Sequence, residues 1–238
     1  SYGQFAGKMV RAELYEIQKA DLGRKYAKVD RRSIEPPPVV VLRLFEVDPV
    51  TGAEHEIDSY HDIVSPGFLC SVDLLYGSEG PMPVASDSSE SQAPHPQNYH
   101  AGSQNFPGNA SNLTNNLVGS RLVQPCKIEL DGKKVIVFVF TDLAVKIEGI
   151  FRLRYRMFDL FAMPTDQKML TIQAEYCGGE FRIYSTKDFP GLPPSTDLTK
   201  RLAVFGVKLN VRETERKRKK RGDSDDLVAM SSIQPSHR

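Results

Sequence analysis

Leu130-Asp-Gly-Lys-Lys-Val-Ile-Val-Phe-Val-Phe140, followed by Phe151-Arg-Leu-Arg-Tyr-Arg-Met-Phe-Asp-Leu160, decides the fold. Asp131-Gly132 suits the positive φ angles of a two-residue hairpin turn, so residues 122–130 and 134–140 are predicted as its two arms. The arm Val-Ile-Val-Phe-Val-Phe is apolar on both faces, which predicts a central strand covered on both sides. The second stretch alternates. Phe151, Leu153, Tyr155 and Met157 face one way, and Arg152, Arg154 and Arg156 the other, the period of a half-buried strand. The three arginines are expected to shield an outer sheet face with their aliphatic stems; a phosphate-binding surface is the lesser reading.

Working outward, residues 9–17 put Val10, Ala12, Leu14 and Glu16 on one side of a predicted first strand. Residues 39–45 form an apolar, β-branched run broken by Arg43, and 68–76 read as another strand. Residues 170–176 and 181–184 flank Gly178-Gly179 and are predicted as a second hairpin. Ser195-Thr196-Asp197 opens a short helix over 198–205, capped by a hydroxyl of Thr196 or Ser195, and 207–211 is expected to be a last strand. Residues 77–116 are rich in Ser, Pro, Asn, Gln and Gly; they are expected to be a disordered insertion, since their composition cannot offset the entropy of ordering. The pattern predicts an all-β sandwich with one or two short helices, a single domain over residues 1–212, and a basic then flexible tail over 213–238.

The net charge of +1 hides a segregation. Arg24, Lys25, Lys28, Arg31 and Arg32 crowd one short stretch against a single acid, Asp30. Arg216, Lys217, Arg218, Lys219, Lys220 and Arg221 form an uninterrupted basic run. The three prolines Pro36, Pro37 and Pro38 follow the first cluster and would fix its direction as it enters the next strand.

Cys70, Cys126 and Cys177 are far apart in sequence and lack metal-ligand spacing, so reduced thiols and no metal or other cofactor are expected. No apolar run is long enough to span a membrane, and the first residues lack a signal-peptide core. No nucleophile elbow, phosphate-binding loop or dinucleotide fingerprint occurs. His61-Asp62 is the one base-and-acid neighbour, and adjacent residues on a loop rarely assemble a catalytic pair.

Phe138-Val-Phe-Thr-Asp-Leu-Ala-Val-Lys-Ile-Glu-Gly-Ile-Phe-Arg-Leu-Arg-Tyr155, Phe181-Arg-Ile-Tyr-Ser-Thr-Lys-Asp-Phe-Pro-Gly191, and Ser195-Thr-Asp-Leu-Thr-Lys-Arg-Leu-Ala203 with Val207-Lys-Leu-Asn-Val-Arg212 follow in order along the chain. Together they resemble the velvet domain of fungal developmental regulators. Asp30-Arg31-Arg32 before Pro36-Pro37-Pro38 resembles the family's approach to its first core strands. Thr141 stands where the family often has Pro, and residues 77–116 have no counterpart that aligns.

The resemblance implies an immunoglobulin-like sandwich similar to the Rel-homology DNA-binding fold. It implies sequence-specific binding of double-stranded DNA, homo- or heterodimers with other velvet proteins, and control of sporulation, sexual development and secondary metabolism. A methyltransferase-like nuclear regulator is a further partner it suggests. By the same resemblance the DNA contacts fall on Arg24, Lys25, Lys28, Arg31 and Arg32. The 216–221 run is expected to serve nuclear import, which places the protein in the nucleus, with or without shuttling to the cytoplasm.

Two other readings compete. One is a velvet-type subunit that dimerises with a DNA-reading partner and binds DNA weakly itself. The other is a sandwich enzyme acting on a carbohydrate or metabolite, for which neither paired carboxylates nor a metal set is found; no enzyme is expected.

Overall fold

The computed structural model describes residues 4–28, 31–58, 60–77, 113–162 and 171–214. Its strands, β1 to β13 in chain order, form two main sheets packed face to face. The first sheet has the order β1 (Met9–Gln18), β3 (Val39–Val47), β9 (Lys133–Val139), β8 (Cys126–Leu130), with β4 (Glu54–Glu56) continuing the β9 edge of β3. The second has the order β2 (Leu22–Arg24), β13 (Phe181–Tyr184), β11 (Gly149–Asp159), β5 (Phe68–Tyr76), β7 (Leu122–Val123), with β12 (Ile172–Cys177) also on β11. A small third ladder pairs β6 (Leu117–Val118) with β10 (Ala144–Val145). The all-β sandwich expected from the sequence is what forms.

Alternation places the core. Val40, Leu42, Leu44, Ile136 and Phe138 from the first sheet meet Cys70, Val72, Leu74, Phe151, Leu153, Tyr155 and Met157 from the second. The hairpin turn is as expected, with φ of 50° at Asp131 and 77° at Gly132. Strand β9 is indeed central and covered on both sides. Its outward residues Val137 and Val139 join Val39, Ile128 and Leu202 in a second cluster under the helix α1 (Asp197–Val204). Thr196 caps α1 by accepting from the Thr199 N–H, and Ser195 instead accepts from the Arg212 N–H. Gln18 fixes the helix to the sheet: its amide donates to the Pro37 carbonyl and Thr199 Oγ1, and its carbonyl accepts from Thr196 Oγ1.

The arginines of β11 behave as outer-face residues. Arg152 pairs with Glu180, Arg154 with Asp73, and Arg156 with both Asp73 and Glu175.

Four expectations need correction. Residues 122–130 are not one strand: β7 belongs to the second sheet and β8 to the first, and the chain crosses at Gln124-Pro125, where proline supplies no ladder donor. Residues 172–184 are not a hairpin. Strands β12 and β13 lie end to end along one edge of β11, with Arg154 opposite Cys177 and Phe151 opposite Phe181, so three steps face four across a bulge at Gly178-Gly179. Those glycines allow a close approach, since a Cβ at Gly178 would lie 2.5 Å from a Glu16 carboxylate oxygen. Residues 207–211 form no strand; Val207 and Leu209 simply pack on the second cluster, secured by the mutual backbone and side-chain bonds of Ser195 and Arg212. Finally, Leu113, inside the stretch expected to be disordered, is a buried core residue. Residues 78–112 lie outside the described residues.

On one side the two sheets close on each other, because β1 packs beside β12, with the Tyr15 and Tyr176 rings 5.7 Å apart.

Candidate nucleic-acid interface

The basic segment emerges at the end of the sandwich where β2 stops. Strand β2 runs parallel to β13 and requires Gly23, because a Cβ there would lie 2.7 Å from Ile183 and 2.9 Å from Ile34 side-chain atoms. Both ends of the loop that follows are stapled to the body. The Lys25 N–H donates to the Tyr184 carbonyl, Tyr26 to Val145, and Ile34 to Leu143, at 2.7–2.9 Å. Ile34 and Pro36, Pro37 and Pro38 are buried, so the prolines lock the returning chain into the core as well as extending it. Glu35 adds a well-shielded ion pair to Arg212, at 2.7 Å.

Within this frame Lys25, Lys28 and Arg31 are exposed, and Arg24 and Arg32 are half-buried. All five side chains of the expected cluster thus reach solvent at least in part, but they are not a field of unscreened cations. Lys25 Nζ lies 3.3 Å from Glu148, and Arg31 Nη2 donates at 2.8 Å to both the carbonyl and Oδ2 of Asp142. Asp142 is itself fixed, because its Oδ1 accepts from the Ser120 N–H at 2.8 Å. Gly119 makes this packing feasible: at φ 116° its missing Cβ would stand 2.4 Å from the Asp142 carbonyl oxygen.

Two cations that the sequence did not single out follow residues that touch the loop or its Asp142 support. Arg121 follows the Ser120 that bonds Asp142, and Lys146 follows the Val145 that accepts from Tyr26. Both are exposed, and each donates to a backbone carbonyl of the 114–115 turn. They are distant from the loop along the chain, and only the fold brings their neighbours Ser120 and Val145 to its frame. The run from Arg216 to Arg221 lies outside the described residues.

Among the described residues other chemistry-bearing groups do not assemble. His61 Nδ1 does approach Asp62 at 3.1 Å, but the side chains are 69% and 82% exposed. All three cysteines are free, and burial pushes their thiols upward in pKa, most of all at Cys70. Among the described residues no three His, Cys, Asp or Glu side chains converge as a metal site, and no helix is long and apolar enough to cross a membrane. A cavity of about 260 Å³, lined by Phe5, Val10, Leu44, Phe68, Met157 and Phe161 among others, opens at the opposite end of the sandwich, where β1 begins.

The sandwich, the stapled basic loop and the motifs of β11, β13 and α1 agree with one family, and the model of the Velvet factor family matches residues 12–216. The chain belongs to the velvet family. It is 47% identical over 262 aligned residues to a probable velvet family sexual development regulator of Laccaria bicolor, covering 93% of this chain and 75% of that one. A probable velvet family sexual development regulator of Schizophyllum commune is 49% identical over 236 residues, covering 95% and 82%. A velvet complex subunit of Cochliobolus heterostrophus is 34% identical over 116 residues, covering 44% and 32%. The velvet match spans most of β1, from residue 12 on, and every element from β2 to α1, so the basic loop belongs to the shared domain.

Proposed function

We propose that this velvet protein is a nuclear, sequence-reading DNA-binding regulator of sexual development that acts as a dimer with itself or another velvet protein. The observation that carries the reading is the loop of residues 24–34. It presents Arg24, Lys25, Lys28, Arg31 and Arg32 from a frame fastened at both ends, so the cations bind without a large ordering cost. Arg121 and Lys146 widen the same positive surface along what would be the phosphate backbone. The regulatory role and the velvet partner come from the names of the relatives, two of them sexual development regulators and one part of a velvet complex. Nuclear import is assigned to the basic run at 216–221 and rests on its composition.

The test is selection from random duplex DNA by the purified protein, followed by titration of the winning site. Replacing Arg31 and Arg32 together with Ala is expected to weaken specific binding about tenfold, as loss of one or two good contacts would, and leave the melting temperature in place. A folded double variant with unchanged affinity would remove the loop from the interface.

A specific observation favours a second reading. Asp142 and Glu148 already neutralise part of the loop, as expected of a protein whose dimer partner reads the DNA. Enrichment of a motif only when a second velvet protein is mixed in would support that reading.

A further inference from the structure

An arginine reads guanine through a fork of two parallel N–H bonds to O6 and N7. A guanidinium has two such forks, one between Nη1 and Nη2 and one between Nε and Nη2. Nη2 is common to both. In Arg31 both hydrogens of Nη2 are committed, one to the carbonyl oxygen and one to Oδ2 of Asp142, each at 2.8 Å. Gly119 leaves room for this arrangement, since a Cβ there would lie 3.0 Å from Nη2. The Asp142 carboxylate is pinned from its other oxygen by the Ser120 N–H. Nε with its one N–H and Nη1 with its two stay available, but they lie on opposite sides of the group and share no parallel fork.

We propose that Asp142 sets how Arg31 binds DNA: it holds Arg31 as an unforked phosphate contact and denies it the paired bonds to a guanine. Sequence reading then falls to other cations of the loop. The inference rests on the DNA-binding reading above and names a residue, Asp142, that governs specificity without touching DNA. Asp142 is 111 residues from Arg31 along the chain, so the pairing exists only in the folded molecule.

A phosphate contact and a base contact leave different signatures on mutation. The experiment is random-duplex selection plus titration across salt concentration, with wild type, Arg31→Ala, Asp142→Asn and the Arg31→Ala/Asp142→Asn double variant. Asn is chosen because its Oδ1 still accepts from Ser120 while its amide no longer accepts from Nη2. The expected result is that Arg31→Ala selects the wild-type motif unchanged, binds all duplexes several-fold more weakly, and lowers the log–log salt slope by about one. Asp142→Asn is expected to add a guanine preference at one position, absent again in the double variant.

If Arg31→Ala flattens one position of the wild-type motif, Arg31 reads a base and the proposal is overturned. An Asp142→Asn protein with the wild-type motif and slope overturns it equally. Failure of the wild type to enrich any DNA, alone or with a velvet partner, is a different result: it defeats the DNA-binding reading and takes this one with it.

Discussion

At the scale of single residues, the least expected side chain is Glu16. Alternation along β1 sends it inward with Val10, Ala12 and Leu14, to a place between the sheets where an apolar group is the norm. Its oxygens accept from the Tyr155 hydroxyl at 2.7 Å and from the Gly179 N–H at 2.8 Å, so the carboxylate links β1 of one sheet to β11 and the bulge of the other. Burial raises its pKa above the ordinary glutamate value, while those two bonds and the charge of Lys19 pull the other way. A raised folded-state pKa means that the folded form holds the proton more tightly than the unfolded chain. Stability from this group is therefore full below the ordinary glutamate pKa and declines as pH rises through the folded one. Glu16→Gln is expected to lose one hydrogen bond at every pH but to lack that decline. Chemical denaturation at about pH 4 and about pH 7.5 should show the gap between wild type and variant moving in the variant's favour at the higher pH. A gap that does not change with pH would show that Glu16 titrates alike in both states.

At the scale of elements, local signals were legible where one stretch of sequence decided the outcome. Strands β5 and β13 fall on their expected residues, the Asp131-Gly132 turn has the expected angles, and α1 begins at an expected cap. The misreadings occur where a distant residue decided. Gly178-Gly179 has a turn's composition, yet its conformation answers to Glu16, 163 positions away from Gly179 in sequence and bonded to its N–H. Residues 207–211 have a strand's alternation, but the outer face of the first sheet already has α1 beside it, and no strand edge is offered there. The helix itself is short and depends on its anchoring. Thr196 both caps it and donates to Gln18, so Thr196→Ala is expected to cost about 1–2 kcal/mol in unfolding free energy, the range for loss of a capping hydroxyl. Thr196→Ser, which keeps the hydroxyl, should recover most of it. An Ala variant as stable as wild type would mean that Leu202 and the Gln18–Thr199 bond hold the helix without the cap.

At the scale of the whole molecule, the chain's last described segment is structural. Val207 and Leu209 cover the second cluster, and Arg212 reaches Glu35 at the root of the basic loop. A chain ending at Gly206 is expected to melt several degrees below one ending at Thr214, measured by thermal unfolding, because apolar surface on Val137 and Val139 is uncovered and Glu35 loses its partner. Equal melting temperatures would show that the segment only rests on the surface. The candidate site was legible only in part at this scale. The basic cluster is contiguous and visible in sequence; Arg121, Lys146 and the restraining Asp142 and Glu148 come from segments that meet it only after the sheets have assembled.

The closing of β1 against β12 has a further consequence. These are the longest strands bordering the two sheets, at 10 and 6 residues, and they shelter each other. Among the described residues the other borders are short or occupied: β8 has 5 residues, β2 and β4 have 3 each and β7 has 2, and where β5 extends past β7 its Val72 and Leu74 N–H groups donate to the Arg121 carbonyl and the Thr114 hydroxyl. Such borders are poor templates for edge-to-edge aggregation, and equally poor ones for a partner that would add a strand. The velvet dimer proposed above would therefore be recognised through side chains on faces and loops, which is the kind of contact that lets related proteins choose among one another.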